Sequence, residues 1–130
     1  MTTVIYGEMV KALAKSGEDI LKSLTPEKCE MWHHASCIQG EAGELFDAVK
    51  KHIIYNKILE VADLANVIEE LGDLEFYMEG LRQAFNVTRQ QTLDHNASKL
   101  SKRYQGAYSD QAAQVRADKE VPPREYKTLS

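Results

Sequence analysis

Glu41-x-x-Glu44 and Glu70-x-x-Asp73 are two carboxylate pairs with the same three-residue spacing, each set inside a long run of helical periodicity. Three residues of α-helix turn through about 300°, so each pair projects from one side of its own helix within a single turn. Four such carboxylates brought together form an oxygen-rich, negatively charged donor set of the kind that holds magnesium beside substrate phosphates. Acidic residues three apart also occur on solvated helix faces, so the relation of the pairs to the apolar stripe matters. Measured from Glu41, the residues Met31, Ala35, Ile38, Ala42, Leu45, Phe46 and Val49 fall in an arc of about 40° to 140°. Glu41 borders that stripe, where a carboxylate loses water and needs a cation or an arginine in exchange.

The second run repeats the arrangement. Leu64, Val67, Ile68, Leu71, Leu74, Met78, Leu81 and Phe85 recur at helical spacing, and Asp63, Asn66, Glu70, Asp73 and Tyr77 follow beside them in steps of three and four. A continuous acidic seam is expected where two helices face each other across a metal-lined groove.

The elements that must position these groups are helices. Three prolines and seven glycines leave long stretches unbroken, and the apolar period stays near 3.6 almost throughout, which predicts an all-α fold. A first helix covers about residues 3 to 23, broken near Gly17, with Val4, Ile5, Met9, Val10 and Leu13 on its apolar side. Thr25-Pro26 then supplies a cap followed by proline in the first helical position. From Pro26 the pattern runs to about Ile54, and after a Tyr55-Asn56-Lys57 turn a second long helix runs from about Ile58 to Ala84. So short a connection makes the two helices antiparallel neighbours. It also sets the two carboxylate pairs at matching levels, about 12 to 15 residues before Asn56 and about 14 to 17 after it. Thr88 with Gln91 forms a capping-box pattern for a helix that reaches about Tyr104 and ends at Gly106. A short helix is expected between Ser109 and Lys119. Residues 1–120 read as a single domain and 121–130 as a tail beyond Val121-Pro122-Pro123.

Four segments together carry a family resemblance: Gly40-Glu41-Ala42-Gly43-Glu44, Lys50-Lys51-His52-Ile53-Ile54-Tyr55, Glu69-Glu70-Leu71-Gly72-Asp73, and Asn96-x-x-Lys99-Leu100-x-x-Arg103-Tyr104. In type and order they resemble the MazG group of all-α nucleoside triphosphate pyrophosphohydrolases, over roughly residues 30 to 120. The resemblance implies magnesium-dependent hydrolysis of a nucleoside or deoxynucleoside triphosphate between its α and β phosphates, with manganese as a substitute cation. It implies Glu41, Glu44, Glu70 and Asp73 as the catalytic metal ligands. It also implies that Lys51, Asn96, Lys99 and Arg103 meet substrate. Tyr77, one turn beyond Asp73, is placed to stack on or hydrogen-bond the nucleotide, and His34 lies about 20° from Glu41 on the helical wheel and lines the same face, where the resemblance implies that it binds substrate around the base and sugar. Some relatives carry an extra glutamate just before the first pair; Gly40 stands there, so the resemblance does not assign the general base. A salt bridge from Lys51 to Asp47, and a solvated face for Asn96, Lys99 and Arg103, account for the same spacings without substrate. An alarmone or modified nucleotide as substrate, and a non-catalytic helical assembly, are the rival readings.

Composition bounds the partners. The net charge is −4 and the basic residues are unclustered, which disfavours polymeric nucleic acid. Residues 41–79 hold ten Asp or Glu against three Lys, whereas residues 82–124 hold eight Lys or Arg against four acids, so an acidic middle is followed by a basic segment able to meet phosphate. No glycine-rich phosphate loop occurs. Cys29 and Cys37 sit about 12 Å apart along one helix, beyond disulfide reach, and read as reduced thiols. No leader pattern and no apolar run near 18 residues are present, so a cytoplasmic protein without a membrane partner is expected. One antiparallel helix pair cannot bury both apolar stripes, which predicts a bundle completed by homo-oligomerisation, as a homodimer or homotetramer.

Overall fold

The structure is a computed structural model that describes residues 5–119. Among these the elements are all helical: α1 (Tyr6–Leu13), α2 (Gly17–Ser23), α3 (Pro26–Ile53), α4 (Val61–Ala84), α5 (Arg89–Tyr104), α6 (Asp110–Val115) and a 3-10 turn at Ala117–Lys119. The chain divides into two compact units, one running to Phe85 and the other starting at Asn86.

The first unit is dominated by the antiparallel hairpin of α3 and α4. Its boundaries follow local chemistry. Pro26 opens α3 where its missing N–H costs nothing, and the Thr25 hydroxyl accepts from the Lys28 N–H at 3.3 Å. The turn expected at residues 55–57 is longer than its sequence suggested, because α4 begins at Val61 and not near Ile58. Asp63 sets that start by accepting from the Glu60 N–H at 3.0 Å, so a glutamate occupies the cap position usually taken by a smaller polar residue. The loop is tied down on both sides. His52 Nδ1 donates to the Lys57 carbonyl at 2.7 Å, Lys57 pairs with Asp63 at 2.9 Å, and Asn56 takes the left-handed backbone conformation that asparagine tolerates.

The break in the first helical stretch falls at residues 14–16, ahead of Gly17. Ser16 accepts from the Asp19 N–H at 3.1 Å and starts α2 there, so the cap divides the stretch and glycine does not. Val4, Val121-Pro122-Pro123 and the expected tail lie outside the described residues. Neither α1 nor α2 buries a residue.

The hairpin's core is thin. Ala48 is the buried apolar residue of the described chain. Much of the predicted apolar stripe faces outward, with Phe46 at 64 %, Leu64 at 56 % and Ile68 at 62 % exposure. Two helices share one seam, and only residues on that seam are covered; the rest of each stripe has no layer to meet.

The second unit is built on α5. The capping box expected at Thr88 and Gln91 is present in both directions, with Thr88 Oγ1 accepting from the Gln91 N–H at 3.1 Å and Gln91 Oε1 accepting from the Thr88 N–H at 2.8 Å. α5 ends at Tyr104, where Gln105 takes the left-handed conformation one residue before Gly106 does so as well. α6 and the 3-10 turn fold back onto α5. Arg103 fixes the turn: its Nε and Nη2 donate to the two oxygens of Asp118 at 2.6 and 2.8 Å.

Candidate metal centre

Two elements supply the acidic seam, and the hairpin brings part of it to one point. One carboxylate oxygen each from Glu41, Glu44 and Glu70 lies within 4.8 Å of the other two. Glu70 is buried at 8 % exposure, Glu41 is half-buried and Glu44 is exposed. The three form a ladder from the covered seam out to solvent. Asp73 lies outside this close group, yet its charge acts on both Glu41 and Glu70.

The electrostatics follow from the crowding. Loss of hydration pushes the Glu41 carboxyl above its ordinary value, and the charges of Glu44 and Asp73 push it further. Glu70 is raised in the same way, by burial first and then by Glu44, Glu41, Asp73 and Glu69. Among the described residues, three cations of the hairpin pair away from the cluster, Lys50 with Asp47, Lys57 with Asp63, and Arg82 with Glu75 and Glu79, and no cationic side chain acts on Glu41 or Glu70. The cluster therefore gathers like charge around a buried carboxylate with no side-chain cation to offset it. Such a donor set suits a hard divalent cation, whose charge would relieve the repulsion. A paired Glu-x-x-His arrangement, the mark of di-iron carboxylate bundles, occurs only once in the sequence, at Glu30 and His33, and neither residue joins the cluster.

The other expected residues of this unit divide. Tyr77 is half-buried, with its ring 6.1 Å from that of His33 and 6.2 Å from that of His34. Its hydroxyl is held above the usual range, first by the neighbouring Cys37 side chain and then by burial, with Glu41 and Asp73 adding to the shift. Tyr77 thus faces the acidic seam. Lys51 is exposed and is not the partner of Asp47; Lys50 takes that role at 3.8 Å. The positive charge of Lys51 acts instead on Asp63.

His34 is turned into the hairpin. Its ring occupies the space that a side chain at Gly80 would need: a Cβ there would meet Cε1 first, then Nδ1 at 2.6 Å and Nε2 at 2.8 Å. Its Nδ1 is buried and without a hydrogen-bond partner, which costs on the order of 1–3 kcal/mol. No sequence pattern announced this contact, because a glycine inside a helix signals a close approach without naming what approaches.

In the second unit, Asn96 is exposed. Lys99 lines a cleft of about 350 Å³ together with His95, Lys102, Asp118 and Lys119. Arg103 is committed to Asp118, whose side chain is 2 % exposed. The pairing holds the Asp118 carboxyl down to about 2 and raises the guanidinium.

Comparison with known proteins identifies no relative: no family model, no curated protein and no solved structure matches the chain.

Proposed function

We propose that this chain is a magnesium-dependent nucleoside triphosphate pyrophosphohydrolase that cleaves between the α and β phosphates and releases a monophosphate and pyrophosphate. The observation that supports it most is the convergence of Glu41, Glu44 and Glu70 within 4.8 Å, one of them buried, with no side-chain cation beside them among the described residues. The motif resemblance supplies the reaction, and the cluster supplies a place for it.

In this reading Glu41, Glu44 and Glu70 hold the divalent cation, with Asp73 adding negative charge from just outside the close group. The cation would neutralise phosphate charge and lower the pKa of an attacking water. Tyr77, one turn beyond Asp73 and in contact with the same seam, orients the nucleotide. Within the second unit Lys99 is freer than Arg103 to meet an anion, because Arg103 already spends its charge on Asp118.

The exposed apolar residues of α3 and α4 favour assembly alongside catalysis. Phe46, Val49 and Ile53 on α3, and Leu64, Ile68 and Leu71 on α4, form outward stripes that a second copy of the hairpin would cover, giving a dimer or tetramer.

The experiment is product analysis by ion-exchange chromatography after incubation with each common nucleoside and deoxynucleoside triphosphate, with and without magnesium. Magnesium-dependent monophosphate and pyrophosphate are expected, with turnover reduced at least about 100-fold in Glu44→Gln. Release of inorganic phosphate in place of pyrophosphate would refute the reaction. No turnover of any of them moves the assignment to an alarmone or modified nucleotide, to be tested next, and failure there leaves a helical assembly protein.

A further inference from the structure

The His34–Gly80 contact and the carboxylate cluster share one seam at a fixed interval. Glu41 follows His34 by seven residues, and Gly80 follows Asp73 by seven, in helices that run in opposite directions. Seven residues are about two turns and 10.5 Å, and they return to within about 20° of the same face. On α3 the contact therefore lies two turns from Glu41; on α4 it lies two turns from Asp73, at the edge of the cluster, and ten residues, about 15 Å, from Glu70. Tyr77 stands between them on α4, with its ring against those of both histidines.

The cluster is thus flanked on both sides. Toward the loop, His52, Lys57 and Asp63 fasten the end of the hairpin, and Ala48 is buried between the helices. Toward the open end, the ring of His34 fills the volume left by the missing Gly80 side chain. The fit is close enough that no other residue at position 80 could keep both the ring and the helices where they are. The ring's buried Nδ1 has no hydrogen-bond partner, so the contact with position 80 is one of packing.

We propose that the seating of His34 on Gly80 sets the separation of α3 and α4 and thereby holds the Glu41, Glu44 and Glu70 oxygens at the spacing a divalent cation needs. His34 and Gly80 are positioning residues in this assignment, which rests on the cluster being a cation site. Metal ligands keep their geometry through the groups that support them, and loss of such support typically lowers metal affinity by about 10- to 100-fold.

The test uses the full chain and manganese, with free ion read by electron paramagnetic resonance and helicity by circular dichroism. Gly80→Ala should weaken manganese binding by about tenfold with helicity retained. His34→Ala in the same chain makes room for the new methyl group, so the double variant should recover affinity up to the level of His34→Ala alone. Equal binding by wild type and Gly80→Ala would overturn the proposal, as would a double variant no better than Gly80→Ala. Should Gly80→Ala fail to fold, His34→Ala alone decides: a severalfold loss of affinity is expected, and unchanged affinity overturns the assignment. A wild-type chain that binds no manganese would instead remove the cation site itself, a different result from a site that binds and ignores position 80.

Discussion

At the scale of single residues, Glu70 carries the sharpest conflict. It is the buried member of a group of carboxylates, and burial and like charge both oppose its ionised form. Glu70→Gln removes that charge while keeping the shape, so without added metal the variant should melt several degrees above the wild type. Magnesium should raise the melting temperature of the wild type and leave the variant unmoved; thermal scans with and without the ion check both outcomes. The sequence made these residues legible because carboxylates beside an apolar stripe stand out. Glu41, Glu44 and Glu70 converge while Asp73 stays outside the close group; both pairs have the same three-residue spacing, so spacing alone does not decide which carboxylates reach one point. Arg103 was read as facing substrate because i, i+4 spacing says which residues share a face. It says nothing about an acid arriving from Asp118, fifteen residues later.

At the scale of elements, the helix starts were the most legible feature. Thr25, Thr88 and Ser109 each accept from a backbone N–H three residues on, as the residue types suggest. The start of α4 was misread by about three residues because Glu60 is an unusual cap and its reciprocal partner Asp63 carries the signal. Thr88 gives the cleanest check of a cap, since its hydroxyl and Gln91 bond reciprocally on an exposed turn. Thr88→Ala should lower the stability of the second unit by about 1 kcal/mol, measured by urea titration, and leave the magnesium response of the first unit unchanged. The division between α1 and α2 was less legible, because the break expected near Gly17 is set by the Ser16 cap, which the apolar periodicity does not reveal.

At the scale of the whole molecule, two sets of carboxylates respond to acid in opposite senses. Glu41 and Glu70 bind their protons more tightly in the folded chain than in the unfolded one. Their contribution to stability is therefore fully present below about pH 4.5, and it fades as pH rises through the folded values. Asp118 behaves the other way: held down to about 2 by Arg103, it contributes above about pH 3.8 and loses that contribution as pH falls through about 2. Metal-free protein should accordingly lose stability on going from about pH 4.5 toward neutrality, and magnesium should restore it at neutral pH; melting curves across that range, with and without the ion, give the sign. The outward apolar stripes set the second expectation at this scale. Ile68→Glu, placed on the exposed side of α4, should shift the protein toward monomer in sedimentation velocity, and an unchanged oligomeric state would show that this stripe is not the covered one. No helix among the described residues is long and apolar enough to cross a membrane, so these stripes are not parts of a spanning segment.

The loop between α3 and α4 ties the hairpin at one end only, and this gives the pair of helices a direction of opening. Contacts near the loop close short circuits of chain, whereas each turn toward His34 and Gly80 closes a longer one at a greater entropic cost. The hairpin should zip from the loop outward and fray from the other end, with amide exchange fastest beyond the His34–Gly80 contact, around residues 26–33 and 81–84.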